Sequence, residues 1–151
     1  MIETRLHADF LSGHLELAAR TGAAISYGEA ATTDSLIEPL AHRQRLALGE
    51  VTLEIRATPG HTPESISIVV HEHADTAAPY CVCTGDTLFI GEVGRPDLLA
   101  AAGTGLTADV LGHQLFHSLH TEPDPPAARS WPPRSRPQSA TSGAPTTRSL
   151  R

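Results

Sequence analysis

The strongest constraint on this chain is the alternation of short apolar runs with tight turns between residues 45 and 86. Val51, Leu53 and Ile55 alternate with Thr52, Glu54 and Arg56, the period of two that a half-buried strand requires. Arg45-Leu46-Ala47-Leu48 precedes them across Gly49-Glu50, so the two runs read as a hairpin. Ile66 to Val70 and Tyr80 to Thr84 predict two more strands, separated by a turn around residues 74–79. Such a chain is committed to a sheet, and its chemistry must be carried on the loops at the strand ends.

Two of those loops hold residues with chemistry. His61 sits in the proline-braced turn Pro59-Gly60-His61-Thr62-Pro63, where each proline keeps its neighbour out of helix. Asp86 ends the apolar run Cys81-Val82-Cys83-Thr84-Gly85. An imidazole and a carboxylate at strand ends suit a borderline divalent metal. Upstream, Leu6-His7-Ala8-Asp9-Phe10 offers His7 and Asp9 to the same site. Each has a plainer reading: Asp9 as a cap for the helix that follows, His61 and Asp86 as ordinary turn residues. Arg95, in Gly94-Arg95-Pro96-Asp97, either binds an anionic substrate carboxylate or pairs with Asp97.

Around the strands the pattern turns helical. Leu15, Ala18 and Ala19 share a face after Ser12, and Gly22 is a stop signal. Residues 23–27 predict a strand ended by Gly28, residues 29–39 a loop, and residues 2–6 the end of a strand. Thr107 can cap a helix from Ala108 to about His120. On it Leu111, Leu115 and Leu119 form the apolar stripe, and His113, His117 and His120 lie opposite as a solvated face. After His120, residues 121–151 hold 7 of the 12 prolines and little that could build a core, so a disordered tail is expected there. The expected fold is therefore an α+β domain over residues 1–120, a mixed sheet with helices on its outer faces.

Composition excludes several classes. The net charge is −6, with no lysine, and residues 1–120 carry 6 arginines against 15 acids, which argues against a nucleic-acid partner. No run approaches the ~18 apolar residues of a membrane span. The N-terminus has no positive region followed by an apolar run, so no secretion signal is expected and the cytoplasm is the expected compartment. Cys81 and Cys83 lie two apart along one strand, poor geometry for a bridge, and read as core-facing reduced thiols. There is no Gly-rich phosphate loop and no serine-nucleophile motif, so metal chemistry is the sharp hypothesis.

Three ordered segments, residues 3–13, 58–65 and 84–90, together with Gly94-Arg95-Pro96-Asp97-Leu98, resemble the metallo-β-lactamase superfamily. The branch they most resemble is that of the persulfide dioxygenases, with glyoxalase II thiolester hydrolases as near relatives. The resemblance implies an αββα sandwich with metal at one edge, here partial, since the leading strands would precede Met1 and the Pro-Ala-His segment has no match in the tail. The gap would leave sheet edges and apolar faces open to self-association.

The same resemblance implies a ligand set. The first motif, His-x-His-x-Asp-His, reads Arg5, His7, Asp9 and Phe10 here. The dioxygenases hold one Fe(II) by the first histidine of that motif, a later histidine and an aspartate. The last two fall on His61 and Asp86, but the first falls on Arg5, whose guanidinium has no lone pair to offer a metal. His7 is the expected substitute, because the hydrolases use that position for zinc. Three functions follow as expectations: oxidation of a small thiol persulfide at one iron, impaired by Arg5; a glyoxalase II-like zinc thiolester hydrolase; and a non-catalytic remnant.

Overall fold

The structure is a computed structural model and describes residues 1–7, 11–102 and 105–121. Residues 122–151, most of the expected tail, and Asp9 lie outside the described residues. The described elements are α1 (His14–Thr21), β1 (Ser26–Gly28), β2 (Glu38–Leu40), β3 (Arg45–Leu48), β4 (Val51–Ala57), β5 (Ile66–His71), β6 (Cys81–Cys83), α2 (Asp97–Ala101) and α3 (Ala108–Thr121).

The sequence of apolar alternation is met by an antiparallel sheet of order β3-β4-β5-β6. Its register places Leu46 opposite Leu53, Ile55 opposite Ile68, and Val70 opposite Cys81, so the apolar positions share one face. The other face carries Val69 and Val82 beside a charged cluster. There Glu54 binds Arg56 at 2.5 Å, and Arg45 and His71 lie 3.6 and 3.7 Å from its carboxylate. In β4 the alternation that made the strand legible puts Val51, Leu53 and Ile55 on one face and the ion-paired Glu54 and Arg56 on the other.

A second, two-stranded sheet pairs β1 with β2 in parallel, Tyr27 opposite Pro39. Here the structure corrects two expectations. Residues 38–40 form a strand where a loop was expected, and the strand expected at residues 23–27 begins only at Ser26. Both are three-residue pairings fixed by tertiary contact, too short for any period to register. Pro39 is tolerated because a two-stranded sheet has only edges.

The two sheets meet over Leu40, Ile55 and Ile66, all at most 4 % exposed, with Ile2, Leu46 and Ile68 packed against them. The first residues of the chain tie the sheets together: Glu3 N–H donates to Ser26 O at 2.9 Å, and Ile66 N–H donates to Thr4 O at 2.9 Å. At their seam Gly28 admits no side chain, since a Cβ there would lie 2.5 Å from Glu64 O.

α1 ends where Gly22, at φ 69°, donates its N–H to Ala18 O, the left-handed cap expected of that glycine. α3 starts with Val110 N–H bonded to Thr107 Oγ1 at 3.2 Å. It buries Leu111, Leu115 and Ser118, while Leu119 is half-buried and His113, His117 and His120 are exposed. The cysteines need a correction. They do lie on the apolar face, but β6 is an outer strand, so Cys81 is only half-buried and Cys83 is exposed. Both are free, and burial followed by its neighbour Cys83 pushes the Cys81 thiol up from its ordinary value. No helix among the described residues is long and apolar enough to cross a membrane.

Candidate metal centre

Two turns and the N-terminal segment converge at one end of the antiparallel sheet. The turn carrying His61 closes on itself: Thr58 N–H donates to Ser65 O at 2.8 Å and Gly60 N–H to Thr62 O at 3.1 Å. Gly60, at φ 142°, lies so close to α3 that a Cβ would sit 2.4 Å from Leu115 Cα. Ser118 Oγ then donates to Pro59 O at 2.8 Å, so α3 braces the turn from behind.

The turn carrying Asp86 is locked to the first by buried hydroxyls. Thr58 Oγ1 lies 3.0 Å from Thr87 Oγ1 and 3.1 Å from Ser67 Oγ. Gly94 N–H donates to Thr87 O at 3.2 Å, and a Cβ on Gly94 would sit 1.9 Å from Asp86 O and 2.9 Å from His61 Cβ. Only glycine lets the 91–95 loop cross so near both residues.

The convergence brings three donors together. His7, His61 and Asp86 each present a donor atom within 4.8 Å of the other two. His7 Nε2 lies 3.2 Å from His61 Nε2, with the rings stacked 8° apart, and His61 Nε2 lies 3.5 Å from Asp86 Oδ2. His61 Nδ1 lies 3.1 Å from Arg95 O, and a carbonyl can only accept, so Nδ1 carries a proton and Nε2 is the nitrogen turned to the site. His61 is 5 % exposed, which screens its ring from water.

The His7–His61 and His61–Asp86 separations suit one ion. Metal–ligand bonds of about 2.0–2.2 Å put neighbouring donor atoms about 3–3.5 Å apart in tetrahedral or octahedral geometry. Two imidazoles and one carboxylate are also the donor set of non-haem iron sites, and zinc accepts them equally. One feature departs from this fit. Arg5 Nη2 lies 2.6 Å from Asp86 Oδ2, the oxygen that faces His61.

Arg95 takes the second of its two readings: its guanidinium pairs with Asp97 through Nε at 3.1 Å and Nη2 at 2.5 Å, both side chains well exposed. That pair holds the Asp97 carboxyl below the usual carboxylate range. Its backbone carbonyl, which orients His61, was not legible in the sequence. Nor was Glu64, 8 % exposed, whose Oε1 accepts the Leu6 N–H at 2.9 Å and so positions His7 from across the chain. The glutamate three residues after His61 was the available signal, but its partner is 58 residues away. Away from this cluster, His14, His42 and His71 bond respectively to Ser12 Oγ, the Ala57 N–H and Thr76 O.

No family model matches the chain. Among curated proteins, the mitochondrial persulfide dioxygenase ETHE1 of Homo sapiens is 31% identical over 122 residues, covering 79% of this chain and 41% of its own. The hydroxyacylglutathione hydrolase of Acidiphilium cryptum is 38% identical over 94 residues, 61% of this chain and 36% of its own. Among solved structures, a metallo-β-lactamase from Staphylococcus aureus superposes with TM-score 0.67 at 33% identity, covering 80% of this chain and 36% of that one. ETHE1 from Myxococcus xanthus gives 0.59 at 27% identity, covering 83% and 49%. The chain spans less than half the length of the curated relatives it matches. The two-sheet arrangement, the turns that carry His61 and Asp86 and these likenesses agree: the described residues have the metallo-β-lactamase fold, and the chain is similar to members of that superfamily over about four fifths of its length.

Proposed function

We propose that His7, His61 and Asp86 hold a single metal ion and that the chain is a metalloprotein of the persulfide dioxygenase kind, acting on a small thiol persulfide. The observation that carries this reading is the convergence of two imidazole nitrogens and one carboxylate within 4.8 Å. An iron held by that donor set would supply the electron chemistry by which dioxygen oxidises a persulfide sulfur.

The residues of the chain do the rest. The Arg95 carbonyl fixes the His61 tautomer and Glu64 holds the backbone beside His7. Arg5 adds a positive charge at the place an anionic persulfide would approach. The Arg95 guanidinium, 67% exposed at the rim, would exchange Asp97 for a substrate carboxylate. Asp9 is part of the proposed ligand set by resemblance alone, since it lies outside the described residues. Two free thiols suit a reducing cytoplasm.

A second reading is favoured by the hydrolase likeness: zinc on the same residues, lowering the pKa of a bound water for thiolester hydrolysis. The test is elemental analysis of purified full chain with two assays, persulfide-dependent oxygen uptake and thiolester hydrolysis. One iron per chain with oxygen uptake is the expected result. One zinc with thiolester cleavage favours the second reading. Metal well below one per chain with neither activity overturns both and leaves a non-catalytic remnant.

A further inference from the structure

Residue 5 is held in the site by its neighbours on both sides. The Thr4 carbonyl accepts the Ile66 N–H at 2.9 Å, and the Leu6 N–H is bonded to Glu64 Oε1 at 2.9 Å. Gly85, at φ 53°, lets this segment pass against the Asp86 turn: a Cβ there would lie 2.7 Å from Thr4 Oγ1. Between these anchors the Arg5 side chain, 18% exposed, reaches Asp86 Oδ2 at 2.6 Å. The same oxygen lies 3.5 Å from His61 Nε2 and is therefore the one that a shared ion would use.

We propose that Arg5 sets the metal affinity of this site, its guanidinium competing with the ion for Asp86 so that binding must displace it. This rests on reading His7, His61 and Asp86 as a metal centre. A guanidinium and a divalent ion on one carboxylate oxygen repel each other across a partly dry site, so occupation by one lowers occupation by the other. The arginine is also imperfectly held. Its Nε is buried with no hydrogen-bond partner among the described residues, so displacement sacrifices the contact to Asp86 and little else that is described. Asp86 is thereby paired when no metal is bound.

The test is Co(II) and Zn(II) affinity of the full chain, measured by competition with a coloured chelator, for wild type, Arg5→Gln and Arg5→Ala. Removing the guanidinium should tighten binding by about tenfold to a hundredfold, the scale of a charge-assisted contact. In the Asp86→Asn background the gain should vanish, since there is then no carboxylate to compete for. Thermal unfolding supplies a second readout that survives poor folding of a variant. Without metal the Arg5 variants should melt below wild type, and metal should raise their midpoint more than it raises wild type's.

Equal affinities in wild type and both variants would overturn the competition while leaving the metal centre intact. A gain that persists in Asp86→Asn would also overturn it. Failure of every variant to bind either ion would overturn the metal centre itself, and the competition with it.

Discussion

Glu64 is the residue whose role is largest relative to its visibility. Its carboxylate sits in a nearly dry position and accepts the backbone N–H of Leu6, one residue before His7. Glu64→Ala should leave that N–H unpaired, cost about 1–3 kcal/mol in a denaturant titration and weaken metal binding, while Glu64→Gln, which keeps an acceptor, should retain most of both. Tyr27 is a second buried polar residue, 3 % exposed, and burial, then Glu3 and Glu64, push its phenol above its ordinary value. A folded-state value above the unfolded one means the stability it contributes is complete below pH about 10 and lost as pH rises toward the folded value. Tyr27→Phe should flatten that alkaline decline in an unfolding midpoint measured against pH. An unchanged slope would mean that other groups drive it.

At the level of elements, the working unit is a turn pressed on a helix. Gly60 touches Leu115, and Ser118 bonds the carbonyl of Pro59, so α3 fixes the orientation from which His61 emerges. Leu115→Ala should cost about 2–5 kcal/mol, because the neighbours of a fully packed leucine collapse only partly into the space left. Gly60→Ala should be at least as harmful to metal binding, since the new methyl meets backbone that cannot yield and φ 142° strains any side chain. His117→Ala, on the exposed face of the same helix, should leave unfolding and metal binding unchanged. A matching loss there would mean that the helix acts through its histidines rather than its packing.

For the whole molecule the unusual quantity is apolar surface left in water. Leu36 and Ile90 are 96 % and 104 % exposed, and Phe89, Phe116 and Tyr80 are 47 %, 62 % and 68 % exposed. A chain that shows such side chains to solvent should associate with itself as concentration rises. Sedimentation velocity over a dilution series is the check, with a mass that grows with concentration as the expected outcome. A monomer throughout would mean that these side chains are tolerated singly, as scattered surface apolar residues often are.

What the sequence determined alone was everything governed by local period and local chemistry. The β4 alternation, the glycine that ends α1, the leucine stripe of α3 and the braced histidine turn are all written within a few residues of themselves. The tertiary structure decided what depends on residues distant along the chain. It paired β1 with β2, left Cys83 on an outer strand, brought His7 against His61 across 54 residues and seated Arg5 on Asp86. The physical reason is that a period or a turn is a property of neighbouring dihedrals, whereas the company of a buried carboxylate is set by which segments the packed sheets bring to its side.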